Sequence, residues 1–104
     1  MFSRGHHDSG RLLAVRSAPN EMPLSRYAFS ISKRVAKQAV IRNRLRRRLR
    51  EALRSLPVIE GRDVVIVARP AAMQADFQAL NAELTKLMGR ARLLARADLP
   101  PDSS

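Results

Sequence analysis

The chain has 104 residues, no cysteine and a formal net charge of +11, from 20 Lys and Arg against 9 Asp and Glu. That length supports one domain with a modest core, and the lack of cysteine excludes a disulfide framework or a thiolate metal site. A pI near 11.7 implies a polyanionic partner, nucleic acid or an anionic membrane surface. The opening MFSRGHHDSGR holds no long apolar run, so neither a signal peptide nor a membrane span is read there, and a cytoplasmic protein is expected.

In chain order, residues 1–10 are polar and contain Gly5 and Gly10, and no regular element is expected in them. RLLAVR, Arg11 to Arg16, reads as a short strand. SAPNEMPLS, Ser17 to Ser25, carries two prolines and reads as a loop. RYAFSIS alternates, with Tyr27, Phe29 and Ile31 on one side and Ala28, Ser30 and Ser32 on the other, a period of two that predicts a second strand. The two strands are expected to pair antiparallel across the loop.

A helix follows from about Lys37 to Leu56, ended by Pro57, with Ile41, Leu45, Leu49, Ala52 and Leu56 as its apolar face. After Gly61, RDVVIVA is a continuous apolar run, the mark of a strand covered on both faces. Pro70 marks a turn and Asp76 a helix start. Phe77, Leu80, Leu84, Leu87 and Met88 form that helix's core face, with Gly89 near its stop. Residues 95–104 read as a flexible tail behind a single domain, 1–94. The order predicts a small α+β domain with helices packed on a mixed sheet.

Charge is placed rather than spread. Between Lys33 and Arg54 stand ten Lys or Arg and one acid, Glu51, so this segment carries +9 of the total. At 100° per residue, Asn43, Arg47, Arg50 and Arg54 form a stripe opposite the leucines, with Arg46 at its edge. Arg42, Arg44 and Arg48 flank the apolar face, where their stems can cover it while the guanidinium groups stay wet. Like charges at i,i+4 (Arg42–Arg46, Arg44–Arg48, Arg46–Arg50, Arg50–Arg54) each destabilise a helix by a few tenths of a kcal/mol. An unliganded helix gains nothing from that. The guanidinium fork suits phosphate oxygens, so a polyanion is the expected partner. Composition alone leaves DNA and RNA both open.

The stretch SISKRVAKQAVIRNRLRRRLRE resembles the signature of the protein subunit of bacterial ribonuclease P: Ser-Lys-Arg, a short linker, Arg-Asn-Arg, an aliphatic residue and further arginines. DVVIVARPAA and the spacing of Phe77, Leu80, Leu84 and Leu87 extend the resemblance over nearly the whole chain. It implies a protein that binds a large catalytic RNA in a complex removing the 5′ leader of precursor tRNA. The RNA performs the hydrolysis, and Mg²⁺ is held mainly by RNA and substrate. Carried over by position, the RNA-contact candidates are Lys33, Arg34, Lys37, Arg42, Asn43, Arg44, Arg46, Arg47 and Arg50; no catalytic residue is expected. The family holds the single-stranded leader in a cleft between the sheet and an N-terminal helix. Phe2, Tyr27 and Phe29 are the candidates to stack there on unpaired bases, against a favoured alternative in which they are core residues. Members usually begin with a basic helix carrying aromatic residues, and this chain is expected to start at about its last turn. A left-handed crossover between parallel strands is implied, joining Tyr27–Ser32 to Asp63–Ala68. The partners would be the catalytic RNA, one per protein, and precursor tRNA, with no membrane.

Other classes weigh less. A structural RNA-binding protein of ribosomal type would share the charge but not the Arg-Asn-Arg signature. A membrane-surface helix needs free bulky apolar residues, and here the leucines are assigned to the core. His6, His7 and Asp8 suggest a metal site, but they lie together without a further ligand, and no metal is assigned.

Overall fold

A computed structural model describes residues 5–95 of the protein. Four strands and two helices appear in the order β1 (His6–Ser9), β2 (Leu13–Pro19), β3 (Arg26–Ser30), α1 (Ala39–Arg54), β4 (Arg62–Ala68) and α2 (Phe77–Arg90), with a 3₁₀ turn at Pro70–Gln74 before α2. The expected α+β class holds. The strand order is β1-β2-β4-β3.

That order corrects the expected pairing. β2 and β3 do not pair; β4 lies between them, antiparallel to β2 and parallel to β3. The apolar β4 offers Val64, Ile66 and Ala68 to Ser17, Val15 and Leu13 of β2 in register. Burying these residues together outweighs any preference for pairing strands adjacent in sequence. Residues 6–9 are also corrected, from irregular to an edge strand antiparallel to β2. Their polarity hid it, because an exposed edge needs no apolar face.

One continuous core lies between the sheet and the helices. Leu13, Val15, Val64 and Ile66 from the strands meet Leu45, Leu49, Leu80, Leu84, Leu87 and Met88 from the helices. α2 lies against β1 and β2 and packs on α1. The register places Ala14, Arg16, Val65, Val67, Ala28 and Ser30 on the other side of the sheet. Val65 and Val67 are only half-buried there. The central position of β4, flanked by a strand on each side, shields them, so an apolar run did not require the second covering layer that was expected.

α1 is built from good helix formers, Arg, Leu and Ala. Gln38 precedes it without a capping side-chain bond. Ser55 closes it by donating its hydroxyl to the Ala52 carbonyl at 2.9 Å, and Pro57 cannot continue it. Leu45, Leu49, Ala52 and Leu53 are its buried residues, while Ile41 and Leu56 lie at the margin. α2 is capped by Asp76, whose carboxylate accepts from the Ala79 N–H at 2.8 Å. It runs through Gly89 rather than stopping there, and the chain turns at Arg92, whose φ is 59°. Leu93 and Leu94 then fold back into the core, and Ile59 donates its N–H to the Leu93 carbonyl at 2.8 Å. Phe77, expected in the core, is 42% exposed because it opens the first turn of α2 beyond the core's edge.

Two polar clamps fix the sheet. At one end Asp63 accepts from Arg26 Nε at 2.8 Å, Arg26 Nη2 at 2.7 Å and Asn20 Nδ2 at 3.0 Å. The Arg26 bonds, and then that from Asn20, hold the Asp63 carboxyl at about 2, below its ordinary 3.8. A carboxyl with a lowered folded-state pKa stabilises the fold above its unfolded value, and that contribution disappears as the pH falls through the folded value. Asp63→Asn is therefore expected to flatten the fall in melting temperature between pH 3.8 and about 2, as scanning calorimetry across that window can check. At the other end, Glu83 Oε2 accepts the N–H groups of Leu12 and Leu13 at 2.7 and 2.6 Å, tying α2 to the start of β2.

Candidate nucleic-acid interface

The interface candidates fall into two groups, a turn and a helix. Between β3 and α1, Ile31 and Val35 are buried and anchor a turn in which Val35 and Ala36 donate to the Ser32 carbonyl at 3.0 and 3.3 Å. Lys33, Arg34 and Lys37, between and beyond these anchors, are exposed. The alternation of apolar and basic residues in ISKRVAK is thus the pattern of a turn held down at two points with its charges outward.

Along α1 the buried leucines orient the helix, and the arginines divide by what they touch. Arg42 donates from Nη1 to the carbonyls of Ala36 and Lys37 at 2.9 and 2.8 Å. It staples the turn to the first coil of the helix, a positioning role that the sequence did not reveal. Arg46 donates to Asn43 Oδ1 at 2.6 Å, so Asn43 aims a guanidinium rather than standing alone. Arg50 lies 5.6 Å over the ring of Phe29, a cation–π contact. Arg44 and Arg47 have no side-chain hydrogen bond or ion pair among the described residues. Neither do Arg48 and Arg54, which sequence reasoning left off the contact set although both are exposed on the same helix. Their signal was available: Arg54 shares the outward stripe with Arg47.

Glu51, the helix's one acid, forms no ion pair among the described residues, and no acid stands in the first turn to meet the helix dipole. The result is a helix-mounted cationic face with its charges uncompensated among the described residues. Its fixed spacing and forked donors suit the phosphates of a folded nucleic acid.

Of the three residues assigned to a leader cleft, Phe2 lies outside the described residues. By register Tyr27 and Phe29 share the helix-bearing side of the sheet with Val64 and Ile66. Phe29 is half-buried beneath Arg50, and Tyr27 is 40% exposed. Together they make an aromatic shelf on the outermost strand, beside the arginine helix. His6 and His7 are exposed on the other edge strand, while Asp8 bonds its neighbour Ser9 and lies 3.6 Å from Arg90. Among the described residues no three His, Cys, Asp or Glu converge as a metal site, and no helix is long and apolar enough to cross a membrane.

The ribonuclease P family profile matches residues 1–92. A ribonuclease P protein component of Cyanothece sp. is 44% identical over 81 residues, 76% of this chain and 62% of the relative. That of Dehalococcoides mccartyi is 36% identical over 98 residues, covering 94% of this chain and 81% of the relative. Among solved structures, the RNase P protein of Staphylococcus aureus superposes with a TM-score of 0.78 at 24% identity, over 90% of this chain and 87% of that one. The RNase P protein of Thermotoga maritima does so with a TM-score of 0.76 at 25% identity, over 86% of each chain.

Proposed function

Because this chain belongs to the ribonuclease P protein family, we propose that it is the protein component of the RNA–protein endoribonuclease that matures the 5′ ends of tRNA. The observation that carries this reading is the uncompensated arginine face of α1, mounted on a leucine-docked helix in which Asn43 of the Arg-Asn-Arg segment accepts from Arg46 one turn on. In this role the protein binds and orients. Arg44, Arg46, Arg47, Arg50 and the turn residues Lys33, Arg34 and Lys37 meet phosphates of the large RNA, while Arg42 holds turn and helix in one register.

Hydrolysis belongs to the RNA, with Mg²⁺ held mainly by RNA and substrate. The shelf of Tyr27 and Phe29, with Arg50 above it, offers the single-stranded leader a stacking surface and a cation side by side. One protein per RNA, acting in the cytoplasm without a membrane, completes the reading.

Reconstitution tests it. The protein with its cognate RNA is expected to cleave precursor tRNA at low magnesium, and the protein alone to cleave nothing. Cleavage by RNA-free protein would overturn the assignment of chemistry to the RNA. Binding without any gain in cleavage would favour a purely structural RNA-binding role.

A further inference from the structure

One flank of α1 does more than present charge. Between α1 and the 3₁₀ turn Pro70–Gln74 lies a groove of about 140 Å³, lined by Ile41, Arg44, Leu45 and Arg48 of the helix and by Ala72 and Met73 of the turn. Its floor is apolar: Leu45 and Ala72 are almost fully buried, and Met73 is 36% exposed at the rim. The groove exists because Pro70 starts a tight turn, which sets the small Ala72 toward the helix and Met73 at the mouth. A bulky residue at position 72 would close it.

Arg44 and Arg48 stand on this flank one helical turn apart, about 6 Å along the axis. Neither side chain has a hydrogen bond or ion pair among the described residues. An apolar slot between two unpaired guanidinium groups matches one ligand chemistry in particular. A nucleobase has a flat apolar face for the slot, and its own backbone carries a phosphate on either side for the arginines. Methionine sulfur is polarizable and contacts ring edges favourably, and arginine planes stack on bases as well as bonding phosphates.

We propose that this groove receives a single unpaired nucleobase of the partner RNA, with Met73 and Ile41 against the ring and Arg44 and Arg48 on the flanking phosphates. The proposal rests on the RNA-binding reading above and adds a base-stacking anchor to a helix otherwise suited to phosphates. An anionic membrane or an acidic peptide would also satisfy the arginines, but neither brings a flat ring to the slot.

The test uses the full chain with its ribonuclease P RNA. Met73→Ala is expected to weaken binding roughly tenfold, in line with the loss of one base stack. The slope of affinity against salt should stay unchanged, because no phosphate contact is removed. Met73→Phe is expected to keep or tighten binding, and thermal melts of both variants check that the fold is intact. A photoreactive phenylalanine analogue at Met73 is expected to crosslink to one unpaired nucleotide. Equal affinity of Met73→Ala and wild type, a shallower salt slope in that variant, failure of phenylalanine to substitute, or a crosslink to paired RNA or a second protein copy would each overturn the proposal. Absence of RNA binding by the wild-type chain would instead sink the underlying functional reading.

Discussion

Replacing Arg46, Arg47 and Arg50 together by alanine is expected to weaken binding of the partner RNA by roughly 10²–10³-fold while the protein still folds. Three guanidinium–phosphate contacts at about 1–1.5 kcal/mol each, from the net worth of an ordinary hydrogen bond up to the lower limit for one to a charged group, sum to about 3–4.5 kcal/mol. Each 1.4 kcal/mol is about tenfold in affinity. On the stability side two small effects oppose each other. Losing the Arg50–Phe29 contact costs about 0.5–1 kcal/mol. Removing the repulsive i,i+4 pairs of Arg46 with Arg42 and Arg50, and of Arg50 with Arg54, returns about 0.2–0.5 kcal/mol each. Filter binding and thermal melts read the two quantities separately. Affinity within threefold of wild type would show that α1 is not the interface, and an unfolded variant would show that these side chains are structural.

Glu83→Ala is expected to be the most damaging polar substitution, costing about 2–6 kcal/mol of unfolding free energy. Both Leu12 and Leu13 lie in the core, and their N–H groups share one carboxylate oxygen. Truncation leaves two buried donors unsatisfied, at about 1–3 kcal/mol each. That is a large share of the roughly 5–15 kcal/mol that holds a domain of this kind together. Glu83→Gln keeps an acceptor oxygen and is expected to lose only the charge assistance, about 1 kcal/mol. Gly10 provides an internal control. A Cβ there would lie 2.7 Å from the Glu83 carboxylate, so Gly10→Ala must displace it. Its cost should be clear in the wild type and largely absent beside Glu83→Ala, a coupling that a double-mutant cycle in urea measures. Additive costs, or a loss below 1 kcal/mol for Glu83→Ala, would contradict this account of the clamp.

The sequence was most legible where one physical cause dominates. The leucine period of α1, the Asp76 start of α2 and the apolar run of β4 each follow from burial or capping alone, and each element stands where expected within a few residues. Strand adjacency was not legible. Two strands joined by a short loop suggest a hairpin, yet β4, more than 30 residues downstream of β3, enters between them because its apolar residues complete the core. β1 carries no apolar signal at all and exists by pairing with β2.

The candidate site was legible as charge and opaque as geometry. Repulsion among arginines can be counted from residue names. Whether Arg42 ends on backbone carbonyls, Arg46 on Asn43, or Arg50 on Phe29 depends on the path of the turn and the docking of the helix. The α1 groove was invisible for the same reason, since its second wall comes from a 3₁₀ turn about 25 residues downstream of Arg48. Phe29 shows how one residue can mislead: it reads as a free aromatic or as core, and it is half of each.

The central claim is that phosphates of a folded RNA answer the uncompensated arginines of α1, and a salt titration tests it most directly. With six to ten phosphate contacts, log affinity should fall against log salt with a slope of about −4 to −9, and the Arg46, Arg47 and Arg50 variant should lose about 2–3 of that slope. A wild-type affinity indifferent to ionic strength, or a slope that the three substitutions leave untouched, would contradict it.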